Sequence, residues 1–319
     1  MANVPMISEG TDPNARAVGL EAPVVAEAKS IARRLGVGFW LSVAWLVLVS
    51  GLALFAPLLT LEQREANSRP DRSVLTLAHP DDTAVGGRLE SPRAGLWFGA
   101  DNTGRDVLSN TIWGARISLL VGLLAIVIGF TVGGTLGILS GFFRGWFDKL
   151  VSFLFTTLLS FPALILAILV TTLLGRTLLW VSVSIGILSI APIGRLARAQ
   201  TLVFAERDFV IAARILGAKD SRIILREILP NVVIPMSALA LLGVGIAIVA
   251  EGTLAFLGIS VQDGSSWGRM IQGAATAQQL QEGPHAALLP ILVVFLTVLS
   301  LNFAGDRVRE VFDAKELAL

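Results

Sequence analysis

The chain has 319 residues, of which 54% are hydrophobic and only 15% charged, and its net charge is +1. A composition this apolar excludes an ordinary water-soluble domain, and a near-zero net charge provides no field for holding nucleic acid. Cysteine is absent, which removes disulfides, thiolate metal ligation and a cysteine nucleophile. The sequence therefore predicts an all-α membrane protein with most of its length in lipid.

A helix rises about 1.5 Å per residue, so roughly 20 uncharged residues are needed to cross the hydrocarbon layer. The segment 1–37 is polar and is expected to lie outside the bilayer as an N-terminal extension. Six apolar stretches follow, at about 38–60, 117–143, 150–175, 177–194, 228–250 and 286–305. The first is too long for a signal-peptide core and is expected to stay as an uncleaved helix. Only Gly-Arg-Thr separates the third from the fourth, which reads as a tight reversal between two helices. Gly129, Gly133, Gly137 and Gly141 recur at intervals of four in the second stretch and align on one helix face. Such a stripe lets another backbone approach closely in lipid, and packing within the bundle is favoured over a contact between copies. Pro162, Pro192, Pro235 and Pro290 interrupt other stretches and predict kinks.

Basic residues set the orientation. Arg195, Arg198, Arg207, Arg214, Lys219, Arg222 and Arg226 cluster between the fourth and fifth stretches, which places that connection in the cytoplasm. Counting outward puts both termini, and the tail 306–319, inside as well. The long connection between the first two stretches then lies outside. His79 and His285 stand far apart in polar connections and read as loop residues rather than metal ligands.

The spans carry essentially no ionisable residue away from their ends, which argues against an ion-coupled carrier or a charged channel. No G-x-x-x-x-G-K phosphate loop, H-E-x-x-H helix or G-x-S-x-G elbow occurs, so neither nucleotide hydrolysis nor an intramembrane hydrolase has its machinery in this chain. A bundle without an energy source either conducts passively or is driven by a partner. One candidate for the drive is the stretch 211–231, IAARILGAKDSRIILREILPN. Ala212, Ala213, Ile215 and Leu216 form an apolar patch with Arg214 turned elsewhere, and Gly217 stands where a left-handed cap ends a helix. Asp220 and Ser221 offer an N-cap for a second helix whose Ile223, Ile224 and Ile228 face the membrane while Arg222 and Arg226 face water. A docking knob and an interfacial anchor fit this helix, turn, helix pattern equally well.

The spacing of Ala212-Ala213, Gly217, Ala218 and Leu229-Pro230 resembles the EAA loop of binding-protein-dependent ABC import permeases. Further segments are similar to the dipeptide, oligopeptide and nickel branch of that family. They are FGADNTGRDVLS at 98–109, GARISL at 114–119, EGTLAFLG at 251–258, WGRMI at 267–271 and LNFAGD at 301–306. The sequence departs from the pattern at Ile211, which stands at the glutamate position, and at 261–266, which lacks prolines common before the Trp-Gly pair.

The resemblance implies a type I importer permease with six spans. Residues 38–112 form the first span plus an external loop, 113–305 the permease core, and 207–230 a coupling hairpin that fits a cleft on a cytoplasmic ATPase. It also implies a homologous permease as heterodimer partner, two ATPase subunits holding ATP and magnesium, and an extracytoplasmic solute-binding protein, with no cofactor on this chain. The setting would be the bacterial cytoplasmic membrane. The import of di- or oligopeptides is the leading expectation, with nickel, glutathione or haem as alternatives. Asp101, Arg105 and Asp106 fit a clamp for a zwitterionic peptide, but capping and bracing of the external loop is the favoured role. Glu251, Trp267 and Arg269 lie on the same side, where they would shape a gate or the seat of the binding protein.

Overall fold

The computed structural model describes residues 22–66 and 85–316, with side chains at 36–58 and 85–310. Its regular elements are helices throughout, and no strand forms among the described residues. Five helical runs are long and apolar enough to cross a membrane, and a helix pair bent by 93° makes a sixth only if the two halves together form one broken span rather than a re-entrant loop.

The first helix, α1 (Ala22–Ala66), carries a non-helical residue at Gly36, so residues 22–35 form a separate helical arm before the first span. The expected polar extension is thus helical over this part, while residues 1–21 lie outside the described residues. A second run joins α2 (Val107–Ile128), a π-helical turn at Gly129–Gly133 and α3 (Gly134–Phe143) into 37 residues. It starts ten residues before the expected 117 because Asp106 caps it, its Oδ1 accepting from the Leu108 N–H at 2.9 Å.

The third expected span is not one rod. It consists of α4 (Gly145–Ser160) and α5 (Ala163–Leu174), bent by 93° at Phe161-Pro162. Proline pushes the residue before it into extended backbone, and Phe161 sits there at φ −81°, ψ 137°. The next helix, α6 (Leu178–Phe204), runs ten residues past the expected end at 194 and passes through Pro192. Arg195 and Arg198 therefore belong to a helix, not to the connection. Arg198 forks onto Asp148 of α4, with Nη2 donating to Oδ2 at 2.7 Å, and this pair supports the extra turns.

Two short helices follow, α7 (Asp208–Ile215) and α8 (Asp220–Ile223). After α8 the chain does not stop and restart. A π-helical turn at Ile224–Ile228 leads directly into α9 (Leu229–Phe256), making one 37-residue run from Asp220, about 55 Å long. Then come α10 (Trp267–Gly273), α11 (Ala277–Glu282) and α12 (His285–Glu316). The α7–α8 hairpin marks one end of the bundle; α10, α11 and the segment 85–106 mark the other, called here the loop end.

The core is sewn at three levels. Val121 and Ala125 of α2, Val181 and Ile185 of α6, and Ala247 and Leu254 of α9 pack together toward the loop end. Ile138, Phe142, Ala197, Val210, Ile223, Ile228 and Met236 close the hairpin end. The first span joins α12, where Trp45 Nε1 donates to Thr297 Oγ1 at 3.1 Å. Elsewhere the helices leave large apolar side chains exposed, such as Leu123, Ile246 and Leu292, as lipid-facing surfaces require.

The glycine stripe is an internal seam. A Cβ on Gly133 would lie 2.3 Å from the Ile190 carbonyl oxygen, and one on Gly137 would lie 2.2 Å from that of Gly194, both on α6. Gly129 and Gly141 approach Ser189 and Arg198 of the same helix almost as closely. Gly137→Val is therefore expected to force the two helices apart and to remove about 3 kcal/mol or more. Gly51→Ala, whose methyl meets no atom within 4 Å, should stay within about 0.5 kcal/mol. Thermal unfolding of the two variants in detergent checks the contrast.

Candidate functional site

The hairpin is built around a complete glycine turn. Gly217 has φ +78°, its N–H donates to the Arg214 carbonyl at 3.1 Å, and the Ala218 N–H donates to the Ala213 carbonyl at 3.0 Å. This double closure is the Schellman arrangement that ends a helix at a left-handed residue. The turn thrusts Ile215 and Leu216 outward, 81% and 86% exposed. Ala212 and Ile211 are exposed beside them. Ala213 and Ala218 instead lie half-buried against the hairpin-end core together with Leu229. Arg214 lies over the Phe142 ring at 5.6 Å from its centroid, which anchors the knob to the end of α3. Arg144 pairs with Glu206 at 2.8 Å and ties the start of α4 to the end of α6.

Two sequence expectations fail here. Lys219, not Asp220 or Ser221, occupies the cap position of α8, and no side chain caps it. Ile223 and Ile228 do not face lipid; both are fully buried against Val210 and Ile138. The reason is the continuity of α8 with α9, which presses this face onto α3 and α6. Pro230 is exposed in the first turn of α9. Its missing N–H and bulky ring are disruptive in a regular helix interior, and the π-helical turn just before it accommodates the break in the ladder.

At the loop end, Glu251 is 1% exposed and accepts three hydroxyl hydrogen bonds. Ser260 donates at 2.6 Å, Ser266 at 2.8 Å and Ser118 at 3.4 Å. One carboxyl group thus joins α9, α2 and the loop between α9 and α10. Ser118 also accepts from the Trp267 N–H at 3.2 Å, and the fully buried Trp267 ring donates through Nε1 to the Thr111 carbonyl at 2.9 Å. Arg269 is exposed, and its Nη1 reaches the carbonyl oxygens of Val261, Gln262 and Gly264 at 3.2, 2.7 and 2.7 Å. Carbonyl bonds to this guanidinium shape the loop that lacks the expected prolines. Glu251, Trp267 and Arg269 are therefore parts of one clasp.

Asp101, Arg105 and Asp106 are also brought together, by a turn. Asp101 Oδ1 accepts from Thr103 N and Oγ1 at 2.7 Å each and from Arg105 N at 3.0 Å. Asp106 caps α2 as described. Both carboxylates brace the loop, whereas the Arg105 side chain takes no part in that bracing. Nearby, the Gly87 N–H and the Arg93 guanidinium hold the Glu90 carboxyl below its ordinary range. His285 opens α12 instead of lying in a loop, with Nε2 at 3.2 Å from the Ala100 carbonyl oxygen. His79 lies outside the described residues, and no metal-ligand cluster occurs among them.

The sequence did not single out Ser118, Ser260 or Ser266 as partners of Glu251. Serines carry no pattern of their own, and the one available signal was that Ser118 and Ser266 lie in or beside the quoted GARISL and WGRMI segments. The Asp148–Arg198 fork was missed because its residues are 50 positions apart.

The family described as binding-protein-dependent transport system inner membrane component matches residues 133–316. The chain belongs to that family. It is a multi-pass inner-membrane permease component of a transport complex, with the helical architecture set out above. It is 35% identical over 279 residues to the dipeptide transport system permease protein DppC of Alkalihalophilus pseudofirmus, covering 86% of each chain. It is 42% identical over 220 residues to the glutathione transport system permease protein GsiD of Shigella flexneri, covering 69% of this chain and 72% of that one. A solved structure of the MetNI methionine ABC transporter shares the fold, with a TM-score of 0.51 and 18% identity over 64% of this chain and 95% of that one.

Glu251→Ala removes the acceptor of three buried serine hydroxyls and is expected to cost about 2–4 kcal/mol. Faster limited proteolysis within 258–266, with α6 and α12 still protected, is the measurement that checks it.

Proposed function

We propose that this chain is one of two homologous permease subunits of an ATP-driven importer of short peptides, and that the α7–α8 hairpin is where the ATPase drives it. The observation that carries the reading is the knob itself. Ile215 and Leu216 stand in the open on a rigid glycine turn, and apolar side chains this exposed outside a lipid span mark a contact with another protein. The same turn is followed by a helix that continues without interruption to the Glu251 clasp.

In this mechanism the hairpin lies on the cytoplasmic side, as the basic cluster suggests, and seats in a groove on the ATPase. Two such ATPases bind ATP and magnesium, and a solute-binding protein delivers the peptide at the loop end. Closure of the ATPase pair moves the knob; the rod from Asp220 to Phe256 passes the movement to the clasp, which moves α2 and the 258–266 loop together. Both chain termini lie in the cytoplasm. The names of the DppC and GsiD relatives support a peptide as the solute, since glutathione is itself a tripeptide.

Leu216→Asp, at the most exposed apolar position of the knob, is expected to reduce co-purification of the ATPase subunits about tenfold or more, with the permease pair still assembled. Unchanged co-purification would refute the docking role. Gly217→Val, which puts a β-branched residue at φ +78°, should leave the protein in the membrane and suppress ATP-driven peptide uptake in proteoliposomes. Gly217→Asn, whose side chain tolerates this backbone, should retain most of the uptake.

A further inference from the structure

We propose that Arg195 of α6, beside Thr156 and Ser160 of α4, faces the water-filled pathway through which the solute passes and meets its carboxylate there. The extension of α6 past residue 194 is what puts this arginine on the wall of a membrane-crossing run. The run from Leu178 to Phe204 has 27 residues and is about 40 Å long. Arg195 lies about 26 Å along it from the loop end, so a hydrocarbon layer of about 30 Å that starts there includes its Cα.

Arg144, Arg195 and Arg198 stand along the seam between α4 and α6, and Arg195 differs from the other two. Arg144 pairs with Glu206, and Arg198 forks onto Asp148. Arg195 is exposed and forms no ion pair among the described residues. Its Nη2 donates to the Thr156 hydroxyl at 2.9 Å, and the rest of its guanidinium has no partner among those residues.

The direction of this side chain decides what it meets. Arg195 and Arg198 are about one turn apart on α6, yet Thr156 lies about two turns beyond Asp148 on α4, away from the hairpin end. Arg195 thus reaches toward the middle of the bundle, whereas an arginine that snorkels to a lipid phosphate reaches toward the nearer surface. A guanidinium without a counter-charge at this depth is costly against acyl chains, and such residues face water-filled cavities. The surroundings agree. Lys149, Thr156 and Ser160 are exposed at a spacing that places them on one face of α4. Trp146, Leu150 and Leu154 are exposed on a different face of the same helix and form its apolar side.

The chemistry of this wall suits an anion. The N–H groups that Thr156 leaves free can fork onto a carboxylate, and a peptide carries one at its C-terminus. The identity of the solute group rests on the peptide-import reading; the water-facing wall rests on Arg195 and its surroundings.

The chain contains no cysteine, so a single introduced thiol can report on water. Ser160→Cys and Leu154→Cys place that thiol on the two exposed faces of α4, and neither residue belongs to the core. The variants are reconstituted as the complete complex in nanodiscs and treated with a charged, water-soluble methanethiosulfonate, with and without a non-hydrolysable ATP analogue. Mass spectrometry of this chain follows the modification. A thiolate forms in water and not among acyl chains, so Ser160→Cys is expected to react about tenfold faster or more than Leu154→Cys in at least one of the two conditions. Equal rates in both conditions overturn the proposal. Dialanine uptake into proteoliposomes tests the charge: Arg195→Gln is expected to lower it about fivefold or more, and Arg195→Lys to keep about half or more. Uptake by Arg195→Gln equal to that of the unaltered complex overturns the carboxylate contact. If the unaltered complex takes up no dialanine, the import reading fails, and the cysteine rates still decide whether the wall faces water.

Discussion

Pro230 removes one backbone donor from the middle of a helix that has to run from Asp220 to Phe256, and the π-helical turn at Ile224–Ile228 absorbs that defect without breaking the rod. Much of the arrangement follows from this continuity. Because α8 runs through the π-helical turn into α9 without a break, Ile223 and Ile228 pack into the hairpin-end core rather than into lipid. Because the same run continues past Glu251, the hairpin and the clasp are joined by one continuous helical run, with Pro235 inside it.

Lipid imposes the second constraint, since every backbone polar group in the hydrocarbon layer has to be satisfied within the protein. The molecule meets it with helices, and it departs from regular helix at defined places: the π-helical turns, the Phe161-Pro162 bend and the capped ends. Without a hydrophobic drive between helices, packing rests on close contact. That is the role of the glycine seam, where the α2–α3 backbone lies against the carbonyl oxygens of Ile190 and Gly194. Polar side chains then appear where they join elements: Asp148 with Arg198 between α4 and α6, Trp45 with Thr297 between α1 and α12, and the serine hydroxyls on Glu251. The glycine turn at 217 serves a different end. It holds two large apolar side chains away from the bundle, where burial within this chain would otherwise have drawn them in.

Much of this was legible in the sequence for a simple reason. Hydrophobic run length is a local property, so the long apolar helices could be located, and Gly217 ended its helix because its chain neighbours required it. The stripe at 129, 133, 137 and 141 could be placed on one helix face from its spacing alone. Other features were not local. The bend at Pro162 was expected only as a kink, because a sequence does not specify how far the helices beyond a proline separate; packing of α5 on α6 and α9 decides that. The extension of α6 past residue 194 depended on Asp148, far away in the chain. Glu251 stood out as a charged residue at a span end, but its three partners come from α2 and the 258–266 loop, and no single-residue signal marks a serine for such a role.

By itself, the sequence determined an all-helical membrane chain, the position of its five long apolar helices, the glycine face and the turn that shapes the hairpin, since each follows from periodicity, length or backbone preference within a few residues. Only the tertiary structure decided that α8 runs on into α9, that Asp101 and Asp106 brace the loop, and that three hydroxyls converge on one carboxyl group. These depend on which distant surfaces meet, and that is settled by packing between helices rather than by the order of residues along any one of them.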